Sequence, residues 1–219
     1  MEKKKLVIVC AGGLAREIVW QLTEFGQCTN IYDILGFVDD EPELQNKVIC
    51  GFPVLGGIEW LLNYKDEICA AICIGNAKKR KKLYNRLKEN PDISFPSIIA
   101  SNTIYSNSTK FGQGCIICVS NTLTVDITVG EFVVAGVGCN FGHDSVVGDF
   151  ATLYPKVNLS GNVHIGTCAE IGTGANIIQG KNIGENSIVG AGSVVIKDIP
   201  PNCTVVGVPA VPIKFHSEV

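Results

Sequence analysis

Two kinds of apolar spacing divide the chain. In its first third, short apolar runs alternate with amphipathic stretches. Leu6–Cys10, Ile34–Val38 and Ile68–Ile74 read as buried parallel strands. Leu14, Ile18, Val19, Leu22 and Phe25 recur at helical spacing and predict a helix over Leu14–Phe25. Ile58–Tyr64 predicts a short helix. Ala77–Asn90 predicts a second long one, with its lysines and arginines toward solvent and Pro91 as its stop. Strand and helix in alternation imply a small Rossmann-like parallel sheet flanked by helices, an α/β domain over residues 1–100.

From Phe111 the period changes to six. Phe111, Ile117, Leu123, Val129 and Ala135 open a series that holds its register to Val195. Six fits neither a helix nor a single strand; it is the hexapeptide repeat of a parallel β-helix. Each hexad supplies a short strand and a turn, and three hexads close one triangular coil. The apolar position must point inward, because such a prism has no other core. The residue after it is usually glycine, as at Gly130, Gly142 and Gly166, which suits a backbone position that dislikes a Cβ. Residues eighteen apart stack on successive coils, so Asn140, Asn158 and Asn176 are expected to form an amide ladder. The β-helical domain is expected over residues 101–219, with an irregular first coil at Ile104 and a longer turn before Phe111. The chain is expected to leave the prism at Pro200-Pro201 and run extended back along the coils through Val205–Ala210.

Composition narrows the function classes. A formal net charge of −3 gives no basic footprint for nucleic acid. Met1-Glu2-Lys3-Lys4-Lys5 precedes an apolar run too short for a signal peptide. No apolar segment approaches the ~20 residues of a membrane span. The ten cysteines then read as reduced thiols of a cytoplasmic protein rather than as a disulfide scaffold. Cys115 and Cys118 have metal-like spacing but no companion pair, and read as small buried hydrophobes.

The chemistry candidates are few. His143, in Phe141-Gly142-His143-Asp144, falls on a turn and points out of the prism. An imidazole suits a general base, and Asp144 could hold its ring. Gly161 lies eighteen residues on, one coil away, so its backbone N–H is about 5 Å along the axis from His143. A base and an amide so placed suit acyl transfer, one removing a proton and the other steadying an oxyanion. The bland alternative is a surface turn histidine. His164 is expected to face its own stack in a structural role, and His216 lies in the tail without an evident partner. No metal site is expected: His143 and His164 are not a multiple of eighteen apart, and His216 is outside the coils. In the α/β domain, ligands are expected beyond the strand ends, at Cys10–Gly13, Asp39-Asp40 and Gly75-Asn76. Cys10 stands where the dinucleotide fingerprint has its first glycine, so NAD is not inferred; a nucleotide phosphate near the helix start is.

The repeat, Gly142-His143-Asp144, Gly161-Asn162 and the terminal Val206-Gly207-Val208-Pro209-Ala210 together resemble the bacterial hexapeptide, left-handed β-helix sugar acetyltransferases. The likeness is to the branch with a small N-terminal nucleotide-sugar domain, which includes nucleotide-amino-sugar N-acetyltransferases and sialic acid O-acetyltransferases. The resemblance implies a homotrimer with each active site between two prisms. It implies His143 as general base, Asp144 as its partner and the Gly161 amide as oxyanion donor. It implies acetyl-CoA in the groove between prisms, near Thr152, Gly161, Thr173 and Ala191, and a nucleotide-linked amino sugar near Gly12, Gly13, Asp39 and Asp40. The chain departs from many relatives at Leu14, where they carry histidine, and at Phe95-Pro96-Ser97, where they carry His-Pro-Ser. The expected reaction is acetyl transfer to a sugar amine. The alternatives are sugar O-acetylation and a non-catalytic trimer that binds a nucleotide sugar.

Overall fold

The computed structural model describes residues 3–25 and 31–216; Met1, Glu2 and Cys28, which entered the readings above, lie outside them. The α/β part opens with β1 (Lys4–Val9) and α1 (Gly13–Thr23), followed by β2 (Tyr32–Val38), β3 (Val48–Ile49) and β4 (Phe52–Gly56). Then come α2 (Ile58–Leu62), β5 (Ile68–Ile72), α3 (Ala77–Leu87) and β6 (Ile93–Ser94). The sheet order is β3-β4-β2-β1-β5-β6, parallel throughout except for the edge strand β3. Leu6, Val7, Ile8 and Val9 are fully buried, as a strand covered on both faces requires.

The second part is a parallel β-helix of two-residue strands stacked in three faces. The first face carries Ile98–Ile99, Ile116–Ile117, Val134–Ala135, Thr152–Leu153, Glu170–Ile171 and Ile188–Val189. The second face runs from Ile104–Tyr105 through Asn140–Phe141 and Asn158–Leu159 to Val194–Val195. The third runs from Lys110–Phe111 through Val146–Val147 and His164–Ile165 to Asn182–Ile183. From Ile117 to Val195 every apolar hexad residue is 3% exposed or less. The glycine that follows is needed for close approach, not for a left-handed φ: a Cβ on Gly142 would sit 2.5 Å from the Gly161 nitrogen of the next coil.

Three expectations change. The hexad register reaches back through Tyr105 to Ile99 with no longer turn, because Tyr105 packs edge-on against Phe111 at the open end of the prism (centroids 5.4 Å apart). The chain does not run back along the coils after Pro200-Pro201. The strand Cys203–Gly207 adds a rung to the first face, pairing with Ile188–Val189, and Ala210–Phe215 folds antiparallel onto it. Residues eighteen apart were expected to share a corner; the asparagine ladder does form, Asn140 Nδ2 donating to Asn158 Oδ1 at 2.7 Å and Asn158 Nδ2 to Asn176 Oδ1 at 2.9 Å, but it lies along the flat of the second face.

The α/β part covers the first face. Ile98, Ile116, Cys118 and Val134 share a core with α1 and the sheet. Phe132 and Phe150, stacked with centroids 5.1 Å apart, share another with α3 and Phe95. Cys115 instead lies inside the prism, so the wall of the prism separates it from Cys118.

Candidate active site

His143 stands on the corner between the second and third faces, in the turn after Asn140–Phe141. The corner backbone is pinned along the axis: Asp144 N donates to Val125 O at 3.1 Å, Asn162 N to His143 O at 2.7 Å and Gly180 N to Gly161 O at 3.0 Å. Asp144 has φ +60°, the left-handed geometry that recurs every six residues from Gly114 to Gly192 and one that Asp tolerates better than most side chains. The imidazole and carboxylate are 64% and 59% exposed, and His143 Nδ1 lies 2.8 Å from Asp144 Oδ2. With Nδ1–H donating to the carboxylate, Nε2 is left with its lone pair free.

That nitrogen lies over Gly161. A Cβ built there would stand 2.4 Å from Nε2 and 2.5 Å from Cε1, so the missing side chain is what gives the ring its place. The Gly161 N–H makes no hydrogen bond to a described residue. A proton acceptor and an uncommitted amide donor thus share one surface. His164 is not part of it. It faces outward from the third face, in register with Val146 and Asn182, because the position before each inward apolar residue points away from the core. His216 does have a partner: its Nε2 is 2.9 Å from Thr204 Oγ1.

Thr173 and Ala191 stack on a different corner, between the first and second faces, where Gly192 N donates to Thr173 O at 2.8 Å. Both are exposed. Thr152 does not join them, and its expected contact with coenzyme is corrected. It is 1% exposed, its hydroxyl donating to Gly75 O at 2.6 Å and accepting from Arg80 Nη2 at 2.9 Å. Its position on the first face is covered by the α/β part.

Beyond the ends of β1 and β2 lies the crevice of the α/β part. Gly12 and Gly13 open α1, whose first turn has no side-chain cap and no acidic residue. A Cβ at either glycine would meet nothing within 4 Å, so the space before these amides is open. Asp39 and Asp40 are committed to the backbone: Asp39 Oδ2 accepts from Ala11 N at 2.9 Å, and Asp40 Oδ1 accepts from Ile58 N at 2.7 Å, capping α2. They shape the crevice while keeping lone pairs for a ligand. Cys10, at φ +77°, has its thiol pushed up to about 11 by burial and by Asp39.

Between crevice and prism is a cluster that sequence reasoning missed. Arg80 is fully buried, although it was expected on the solvent side of its helix. Its guanidinium donates to Phe132 O at 2.9 Å, Gly75 O at 2.9 Å, Phe150 O at 2.7 Å and Ala151 O at 3.1 Å, and also to Ile74 O. Burial pushes it down to about 10, which leaves it charged at neutral pH. Beside it, Glu170 Oε1 accepts from Ala77 N at 2.9 Å at the start of α3, and Tyr154 Oη donates to Glu170 Oε2 at 3.0 Å. Burial and that carboxylate push the Tyr154 phenol up to about 12. The signal for Arg80 was its place on the inner stripe of α3 with Ala77, Tyr84 and Leu87. Among the described residues no group of three or more His, Cys, Asp or Glu side chains is arranged to hold a metal.

Comparison with known proteins bears on this geometry. Residues 5–87 match the PglD N-terminal domain family. GDP-perosamine N-acetyltransferase of Escherichia coli O157:H7 is 31% identical over 157 residues, 71% of this chain and 69% of that protein. The acetyltransferase domain of PglB from Neisseria gonorrhoeae, solved with acetyl coenzyme A, superposes with a TM-score of 0.88 at 28% identity, covering 97% of this chain and 100% of the other. PerB from Caulobacter crescentus, solved with CoA and GDP-perosamine, gives a TM-score of 0.87 at 28% identity over 96% of this chain and 97% of its own. These likenesses extend the left-handed β-helix and its α/β partner over nearly the whole chain.

Proposed function

The chain belongs to the hexapeptide-repeat N-acetyltransferases of nucleotide-linked amino sugars, and on that premise we propose that it acetylates the C4 amine of a UDP- or GDP-linked deoxysugar with acetyl-CoA as donor. The observation that carries this reading is the corner where His143 Nε2 lies over the uncommitted amide of Gly161.

The sugar amine attacks the thioester carbonyl while His143 Nε2 accepts its proton. Asp144 on Nδ1 stabilises the imidazolium that results. The N–C bond forms, and the carbonyl oxygen takes the electron pair as an oxyanion facing the Gly161 N–H. Collapse re-forms the carbonyl and breaks the C–S bond. His143 returns the proton to the departing thiolate, giving the amide and CoA.

The nucleotide is assigned to the crevice at Gly12, Gly13, Asp39 and Asp40. Its phosphates face the open start of α1, where helix amides favour anions. The coenzyme arm is assigned to Thr173 and Ala191. In one chain the prism stands between crevice and His143, since the α/β part covers the first face and His143 is on the corner opposite. This separation supports a homotrimer with the second face turned to the threefold axis. The His143 corner of one chain then lies beside the Thr173–Ala191 corner and the crevice of the next.

The proposed compartment is the cytoplasm. The nine described cysteines are free, as a reducing compartment keeps them, and no helix among the described residues is long and apolar enough to cross a membrane.

The test is steady-state kinetics with acetyl-CoA and a panel of UDP- and GDP-linked 4-amino sugars. His143→Ala is expected to keep fold and assembly while kcat falls ~10²–10⁴-fold. Wild-type turnover in that variant removes the imidazole from the mechanism; a wild-type chain that acetylates hydroxyl sugars but none of the amines refutes the amine assignment.

A further inference from the structure

Where α3 passes the corner between the third and first faces, it leaves a groove of about 780 Å³. Lys78, Lys81 and Lys82 line the helix side, and Asn186 and Asn202 line the prism side, with Glu185 the one carboxylate among the lining residues. The corner is neither the one that carries His143 nor the one that carries Thr173 and Ala191, and the groove lies off the crevice at Gly12.

Four of these side chains are uncommitted. Those of Lys78, Lys82, Asn186 and Asn202 make no hydrogen bond or ion pair to any described residue. Lys81 rests its ammonium over the Phe150 ring at the groove wall, 5.9 Å from the centroid. The lysines are three and four residues apart, so they share one helix face. The α3 sequence contains no acidic residue to neutralise them, although the chain as a whole carries a net charge of −3. Three like charges gathered this closely repel one another, and a multivalent anion removes that repulsion. The asparagines opposite add amide donors. The groove continues past Lys78 and Asn186 into a smaller cavity of about 150 Å³ at Ile188 and His216, with room for a group beyond the anion.

We propose that this groove is a second binding site, for a phosphate-bearing ligand held by Lys78, Lys81 and Lys82 and by the amides of Asn186 and Asn202. Lysine ammonium groups bind phosphate oxygens as point charges, and the amides donate the directional hydrogen bonds. The same chemistry serves a soluble phosphate ester or the headgroup of an anionic lipid.

Calorimetric titration of the full chain with inorganic pyrophosphate, and co-sedimentation with phosphatidylglycerol vesicles, separate the two sources. Wild type is expected to bind at least one of them. A variant combining Lys78→Ala, Lys81→Ala and Lys82→Ala is expected to bind it about tenfold or more weakly, the effect of losing several charge contacts, with acetyl transfer unchanged. Pyrophosphate binding alone assigns a soluble phosphate. Vesicle binding that pyrophosphate displaces assigns a lipid headgroup. Equal binding by wild type and variant, or none by wild type to either probe, overturns the proposal.

Discussion

An imidazole with Nδ1 tied to a carboxylate has one nitrogen left for chemistry, and at position 143 that nitrogen occupies the space Gly161 leaves empty. Gly161→Ala therefore has to push the ring aside. Because glycine here is not in a left-handed conformation, the backbone tolerates alanine, and the expected result is a folded protein with kcat lower by on the order of 10²-fold, the scale of a misplaced catalytic group. Unchanged kinetics would mean the ring has no fixed place. A second prediction concerns the thiols. Burial pushes Cys10 and Cys139 up to about 11 and Cys118 up to about 12, so at pH 8 each is protonated and a poor nucleophile. Exposed Cys50 should be alkylated by iodoacetamide before these three, which follow only near pH 11–12 or on unfolding; mass spectrometry of the peptides reads the order. His143 and Gly161 were legible together because eighteen residues is one coil, and the period alone puts them on one corner. Thr152 was misread because the period says that a side chain points outward but not what covers it.

At the scale of elements, the hexads were legible and the contact between the two parts was not. An inward hexad residue repeats, so its pattern survives in the sequence. The clasp made by Arg80 is a single long side chain reaching five backbone carbonyls on three stretches of chain; the helical period places it on the inner stripe of α3 but does not announce what it reaches. Arg80→Ala leaves those carbonyls buried without a donor. The expected cost is roughly 3 kcal/mol or more, read as a lower denaturant midpoint, since each orphaned buried acceptor is destabilising. Arg80→Lys should recover only part of it, because one ammonium cannot span acceptors that far apart. A midpoint unchanged in Arg80→Ala would show that the stacked Phe132 and Phe150 hold the parts together unaided.

On the scale of the whole molecule, the α/β part shields one face of the prism and leaves His143 on the corner opposite. On the proposed reading, the nucleotide crevice and the base therefore meet only between chains. Asn158→Arg, in the middle of the second face, puts three like charges around the proposed threefold axis and is expected to dissociate the trimer, as sedimentation velocity would show. The most direct measurement of the proposed shared site is subunit complementation. His143→Ala removes the base. Gly12→Trp fills the open space of the crevice from a backbone position (φ −74°) that accepts a side chain. Each variant alone should be inactive. Unfolded together in equal amounts and refolded, they should recover about a quarter of the wild-type activity, the share of interfaces in a random symmetric trimer that pair an intact His143 with an intact crevice. Activity that stays at the level of the separate variants, in a mixture that has formed trimers, would place base and crevice in one chain and contradict the account.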